Sequence, residues 1–358
     1  MQGGVSPASP AADVFPPTRL ETEGRHLDTG AHVTAALALG DTAVSAHGDG
    51  VMRLFGGDAP PREVAAHRGV VLDMAVAGRA AVVTGGDDGR LLRVATDGTV
   101  EELADFGRGW VDCVAAHGQT GLMACSVGRA VHVWRPGAAR AETFEHPSTV
   151  GGLAFDPKGK RLAVAHYGGA TVWERGERRW KSTKLKWAGS HIGVTWSPNG
   201  KYVVTVMQEN ALHGWRLRDK LDMRMSGYPA KPRALDWAGD GPHLATSGAD
   251  SAVCWPFIFK DGPMGQTPLC VAHGVKQLAT MVRGLPGQAA VLAGYQDGSV
   301  LMSELEEDAE DVVLRGTTGA EVTALAVTES LSHILIGDAA GGVLWAPLRK
   351  GDGNARPL

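Results

Sequence analysis

The sequence predicts an all-β fold, a β-propeller of four-stranded blades, on three observations. A unit returns about every forty residues, eight times. Its third apolar run ends at Phe55, Val94, Trp134, Trp173, Trp215, Trp255, Ser303 and Trp345, in steps of 39, 40, 39, 42, 40, 48 and 42 residues. Within each unit the apolar runs are short and alternate with other residues, the period of a strand rather than a helix. Tight turns rich in Gly and Asp separate the runs, drawing on the 49 Gly of the chain. A period of roughly 40–45 residues built from short strands is that of a propeller blade.

The elements of a unit follow in order. First strands are predicted at Val33–Leu39, Val71–Val76, Val111–Ala115, Val150–Phe155, Ile192–Trp196, Arg233–Trp237, Gln277–Val282 and Val322–Val327. Their small side chains suit a strand that lines a crowded central axis. Second strands are β-branched and Ala runs such as Ala80–Thr84, Tyr202–Thr205 and His333–Ile336. The turns Gly48-Asp49-Gly50, Asp88-Gly89 and Asp297-Gly298 are hairpin signals, because Gly takes positive φ without a Cβ clash. The third strand carries the Trp. A more polar fourth strand closes the unit, as at Arg62–Ala65 or Lys181–Lys186, where Lys and Arg guard an outer edge against pairing with another chain.

Several residues fall at matching places in successive units. A His ends the connection before the first strand (His67, His191, His273). A turn reads Phe155-Asp-Pro-Lys-Gly159 and Trp196-Ser-Pro-Asn-Gly200, degraded to Trp237-Ala-Gly-Asp-Gly241. A Ser or Thr precedes the tight turn (Thr84, Thr205, Ser247). In these residues and in the closing Trp, the chain resembles the WD-repeat (WD40) propeller family over residues 29–347. The resemblance implies a His, Ser/Thr, Asp and Trp hydrogen-bonded network within a blade, and a role in scaffolding or complex assembly. No single unit keeps all four residues, and no closing Trp is followed by Asp. All eight units hold three recognisable strands, so eight blades are expected, with seven as the alternative because it is the commoner count in that family. Residues 25–30 sit where an N-terminal strand would complete the last blade and remove its open edge.

Composition narrows the function classes. Formal net charge is −4, which speaks against a general nucleic-acid or membrane-surface binder. Cys113, Cys125, Cys254 and Cys270 form no CxxC pair and read as buried reduced thiols. The N-terminus shows neither the basic n-region nor the apolar h-region of a secretory signal, and no run of about 18 apolar residues could span a bilayer. The expectation is a cytoplasmic chain with flexible tails at 1–24 and 351–358 around one propeller domain at 25–350.

Candidate sites follow from topology. The connection into each first strand and the turn between second and third strands share one face, called the top. In the fourth to sixth units these loops carry His146, Tyr167, His191, Gln208, Glu209, Tyr228, Lys231, Arg233 and Asp250. Aromatic residues with Arg on a rigid surface are usual anchors of a protein interface. A basic run, Arg178, Arg179, Lys181, Lys184 and Lys186, interleaves with Trp180 and Trp187, a composition that can hold single-stranded nucleic acid, although a solvated outer strand explains it as well.

On the opposite, bottom face lie the acidic run Glu304–Asp311 and an insertion at Phe257–Pro268 with two Phe, an Ile and a Met. There the acidic run could steer an approaching partner, and the insertion could either dock a partner or cover the blade edge. His146, His166 and His191, with Glu209 nearby, are the only trio on neighbouring top loops suited to zinc, and no spacing motif supports a metal or a cofactor. The first strands offer Asp73, Asp112 and Asp236 without an acid/base spacing. No HExxH, GxSxG or phosphate-loop motif is present. The expectation is a non-enzymatic scaffold that binds a protein or peptide through the top of units four to six. The alternatives are a ligand- or metal-binding sensor or an enzyme using the same cluster, and then single-stranded nucleic acid bound by the basic strands.

Overall fold

A computed structural model describes residues 16–177, 179–239, 243–273 and 276–349. The chain opens with α1 (Arg19–Glu23) and β1 (Arg25–Asp28). The first sheet is β2 (Val33–Leu39), β3 (Thr42–His47), β4 (Val51–Gly56) and β5 (Arg62–Ala65). The second is β6 (Val71–Val76), β7 (Ala81–Gly86), β8 (Arg90–Ala95) and β9 (Val100–Asp105). The third is β10 (Val111–His117), β11 (Leu122–Val127), β12 (Ala130–Trp134) and β13 (Glu142–Glu145). The fourth has six strands: β14 (Val150–Phe155), β15 (Arg161–Arg175), β16 (Trp180–Trp196), β17 (Tyr202–Met207), β18 (Ala211–Arg216) and β19 (Leu221–Met225). The fifth is β20 (Leu235–Ala238), β21 (His243–Thr246), β22 (Ala252–Pro256) and β23 (Leu269–Val271). The sixth is β24 (Ala279–Gly284), β25 (Ala290–Tyr295), β26 (Val300–Glu304) and β27 (Val312–Arg315). The seventh joins β1 to β30 (Gly342–Pro347), β29 (His333–Asp338) and β28 (Val322–Val327).

The architecture is an all-β propeller, and its sheets number seven among the described residues, six of four strands and one of six. The expectation of eight separate four-stranded blades is corrected to the alternative count. The physical reason lies in β15 and β16. The chain reverses at Gly168 and Gly169 inside β15, where the Arg175 amide donates back to the Lys160 carbonyl at 2.9 Å, so that β15 pairs with β14 before the turn and with β16 after it. Across from it, Tyr167 pairs with Ser190 and Gly169 with Lys186, with a register shift between them. β16 then continues without a break, pairing with β17 from His191 to Trp196. It closes the fourth sequence unit and opens the fifth, so the two units share one sheet.

Packing repeats from sheet to sheet. Apolar side chains of facing sheets form the core, as where Val44, Met52 and Leu54 meet Val71, Val82 and Leu92. The innermost strands crowd one another. A Cβ on Gly152 of β14 would lie 2.9 Å from the Gly193 Cα of β16, so only Gly fits there. The register shifts by one residue near the top of nearly every innermost strand, as at Val71/Asp73, His191/Gly193 and Val322/Ala324. Such bulges sharpen the twist that lets sheets fan around an axis.

The chain ends close the structure. Arg25 to Asp28 of β1 pair antiparallel with Trp345 to Gly342 of β30. Within the stretch expected as a flexible tail, Arg19–Glu23 instead form α1, whose Leu20 is buried against the sixth and seventh sheets. Thr18 and Glu21 form a reciprocal capping box, and the Thr18 hydroxyl donates to the Leu314 carbonyl at 2.7 Å. Residues 1–15 of that expected tail, and the one at 351–358, lie outside the described residues.

Candidate interaction surface on the top face

Three expected partner-binding residues are buried, which corrects their role. Tyr228 is 8% exposed. Its hydroxyl donates to Thr246 Oγ1 at 2.7 Å and accepts from Trp255 Nε1 at 2.6 Å, and Thr246 passes the chain on to the Val253 carbonyl. Burial pushes the phenol up to about 12. Tyr228 thus does in the fifth sheet what a His does in the second, where His67 pairs with Thr84 and Asp88, each at 2.9 Å. His146 accepts from Trp173 Nε1 at 3.1 Å, and His191 pairs with Thr205 at 2.7 Å. Burial lowers the pKa of both imidazoles. His273, placed by the sequence among these network positions, is exposed instead. Tyr295 bonds the Ala272 carbonyl in its place.

The trio His146, His166 and His191 does not converge with Glu209. His166 pairs with Thr171 and the Tyr167 carbonyl, and the Glu209 carboxylate caps the Ser190 amide at 3.0 Å. Among the described residues no group of three or more His, Cys, Asp or Glu is placed to hold a metal ion. Of the cysteines expected as buried thiols, Cys125 and Cys254 are buried, Cys113 is half-buried and Cys270 is exposed.

What remains outward is Tyr167, Gln208, Glu209, Arg233 and Asp250, with Lys231 half-buried. Neighbouring loops hold one another. Lys231 donates to Gln208 at 3.1 Å, Arg233 meets Glu321 at 2.6 Å, and the Tyr167 amide donates to Ser148 Oγ at 2.9 Å. The Tyr167 ring, 65% exposed, stands at the tip of the turn inside β15. Beside it opens a recess of about 470 Å³ lined by Pro147, His166, Tyr167, Lys184, Lys186 and Trp187. Two clusters that the sequence left separate, the top loops and the basic run, meet here. The reason is β16, which carries Lys184 and Lys186, two residues apart on one side of the strand, directly up to Trp187. Arg179 and Lys181 are exposed farther down. Arg178 lies outside the described residues. A second recess, of about 340 Å³, is lined by Tyr228, Pro229, Asp250, Ser251, Trp255 and Cys270.

The sequence placed Trp187 in the basic run but did not bring it to the top loops, where it walls the recess. Its ring stacks on buried His213 with centroids 3.9 Å apart, which fixes its orientation. The signal was present in the aromatic residue that directly follows the basic alternation.

The fold and this surface define a propeller with a structured top face. No protein-family model and no curated protein sequence matches the chain. Many solved chains share the fold. One is the crystal structure of the computationally designed Ika8 protein, which matches with a TM-score of 0.72 at 17% identity, over 90% of this chain and 98% of that one. At that identity the likeness shows the fold alone. No helix among the described residues is long and apolar enough to cross a membrane.

Proposed function

We propose that the chain is a non-enzymatic, WD-repeat-like scaffold that binds a protein or peptide through the top face of its fourth to sixth units. The observation that carries this reading is Tyr167. A large aromatic ring is held out to solvent on a tight turn, beside a recess with apolar, aromatic and cationic walls. Interface hot spots have this make-up, a rigid aromatic anchor with polar groups around it. Interlocked loops support the reading, because a surface ordered in advance loses little entropy on binding. The test is capture from native extract with wild type, Tyr167→Ala and Arg233→Glu. A partner held by wild type and lost by both folded variants supports the reading. A partner set unchanged by both variants refutes it.

A second reading has one observation behind it. Lys184 and Lys186 flank Tyr167 and Trp187, as phosphate contacts flank stacking rings in single-strand binders. Salt-sensitive binding of an oligonucleotide, lost on Lys184→Glu with Lys186→Glu, would favour it over the protein partner.

A further inference from the structure

Away from the top loops, three connections meet around one groove. They are the turn between β16 and β17, the turn between β18 and β19, and the long connection between β22 and β23. All three join strand ends opposite to those that carry Gln208, Glu209 and Asp250. The groove has a volume of about 600 Å³, and its walls include Lys201, Leu217, Arg218, Ile258, Phe259 and Lys260.

One part of the long connection packs inward and the next is held outward. Phe257 is buried against Tyr202 and Trp237, with ring centroids 5.3 and 5.0 Å away. The Tyr202 hydroxyl donates to the Lys260 carbonyl at 3.1 Å, and Arg216 ties Asp261 to Asp219. The Gly262 amide closes the turn on the Phe259 carbonyl at 3.1 Å. These contacts fix the backbone on both sides of Ile258 and Phe259, whose side chains stay 55% and 44% exposed. Covering the sheet accounts for Phe257 and leaves those two side chains without a role.

Charge in the groove is one-sided. Arg161 and Arg216 line it too, but both are engaged. Arg161 pairs with Asp156 at 3.0 Å and lies over the Trp196 ring, and Arg216 holds its two carboxylates. Lys201 and Lys260 are exposed and make no ion pair among the described residues. Arg218 meets Asp219 at 3.4 Å, a carboxylate that Arg216 already holds at 2.8 Å. Among the described residues no acidic side chain lines the groove.

We propose that this groove binds a short acidic peptide segment of a partner protein, with an aromatic or aliphatic side chain between its carboxylates. The apolar side chain enters between Leu217, Ile258 and Phe259, where burial supplies affinity. The flanking carboxylates meet Lys201 and Lys260, which sets register and speeds encounter. A concave site suits a segment whose side chain enters it, whereas a membrane surface would meet only the outward tip of the loop. Walls of Leu217 and Ile258 give nucleic-acid bases little to stack on. The groove is separate from the proposed top surface, so one propeller has room for two partners at once.

The test is fluorescence anisotropy of the full chain with a labelled peptide Glu-Asp-Leu-Phe-Asp-Glu. Binding is expected, and it weakens as salt rises. The same peptide with Lys for every acid, and the same peptide with Ser for Leu and Phe, are each expected to bind about tenfold or more weakly. Lys201→Glu with Lys260→Glu, and separately Phe259→Ser, are expected to raise the Kd by a similar factor. Tyr167→Ala, on the top face, is expected to leave it unchanged. All four side chains are exposed, so a wild-type thermal midpoint in each variant shows that the fold is kept. No binding at low salt, or binding indifferent to the groove variants, overturns the proposal. Loss on Tyr167→Ala alone would move the peptide to the top face. Tighter, groove-dependent binding of phosphatidylserine vesicles or of a single-stranded oligonucleotide would assign the groove to that class of partner instead.

Discussion

His213 shows how much one side chain decides here. Its ring lies flat on Trp187 and meets the edge of Trp215, with centroids 3.9 and 4.7 Å away. Neither ring nitrogen has a hydrogen-bond partner, and the Asp222 carboxylate stands off at 3.5 Å. Burial, with His191 and Arg224 adding to it, lowers the imidazole pKa to about 4, and burial with Arg53 does the same to His47. The sign follows from where the proton goes. Above pH 6.5 neither the folded nor the unfolded chain protonates these rings, and stability does not depend on them. Between pH 6.5 and 4 the unfolded chain takes up protons that the folded chain refuses, so stability falls as pH falls. At about 1.4 kcal/mol per pKa unit, each ring accounts for roughly 3 kcal/mol over that window. His213→Phe keeps the stack and removes the proton site. Its denaturation midpoint is expected to fall less steeply between pH 6.5 and 4 than that of wild type. Identical slopes would show that His213 is not refused its proton.

Among elements, β16 is the one the sequence did not disclose. The forty-residue rhythm was legible because Trp134, Trp173, Trp215, Trp255 and Trp345 close third strands, and those strands form where expected. Continuity was not legible, because Trp187-Ala-Gly-Ser190 reads like any other connection and only pairing across Gly169 shows that the strand carries through. Tyr228 was misread for a related reason. A Tyr amid Gly and Pro looks exposed in sequence, and only the structure brings Trp255 and Thr246 to its hydroxyl. Two adjacent glycines test the continuity of the sheet. Both have positive φ, 86° at Gly168 and 132° at Gly169. A Cβ at Gly168 meets nothing within 4 Å, whereas one at Gly169 would lie 2.0 Å from the Leu185 carbonyl oxygen. Gly168→Ala is expected to lose about 1 kcal/mol through backbone strain alone. Gly169→Ala adds a clash that pushes β16 off β15, and a loss of about 3 kcal/mol or more is expected in urea unfolding. Equal losses would mean that the strand bends away from that pairing without penalty.

For the molecule as a whole, what matters is how a ring of sheets stays closed. Each sheet buries its faces on its neighbours, so an open end would expose both an apolar face and an unpaired strand edge. The chain closes itself twice at one place. β1 covers the edge of β30, and α1 lies across the gap to the sixth sheet, with Leu20 in the core, Thr18 on the Leu314 carbonyl, and Glu21 accepting from the Gly316 amide at 3.2 Å. The strand was legible at residues 25–30. The helix was not, although Thr18 and Glu21 stand at capping-box spacing, because five residues carry too little apolar period to be noticed. Leu20→Ala removes the apolar part of the staple and leaves both cap hydrogen bonds in place. A loss of about 2–4 kcal/mol is expected for a buried Leu. The loss is expected to fall unevenly, because a closed ring opens first at its weakest joint. Amides of the β1–β30 pairing, such as Leu27 and Val343, are expected to exchange faster in the variant, while those of β10 and β11, on the far side of the ring, keep their protection until global unfolding. Uniform acceleration across all sheets would instead make the propeller a single cooperative unit in which α1 is one more piece of core.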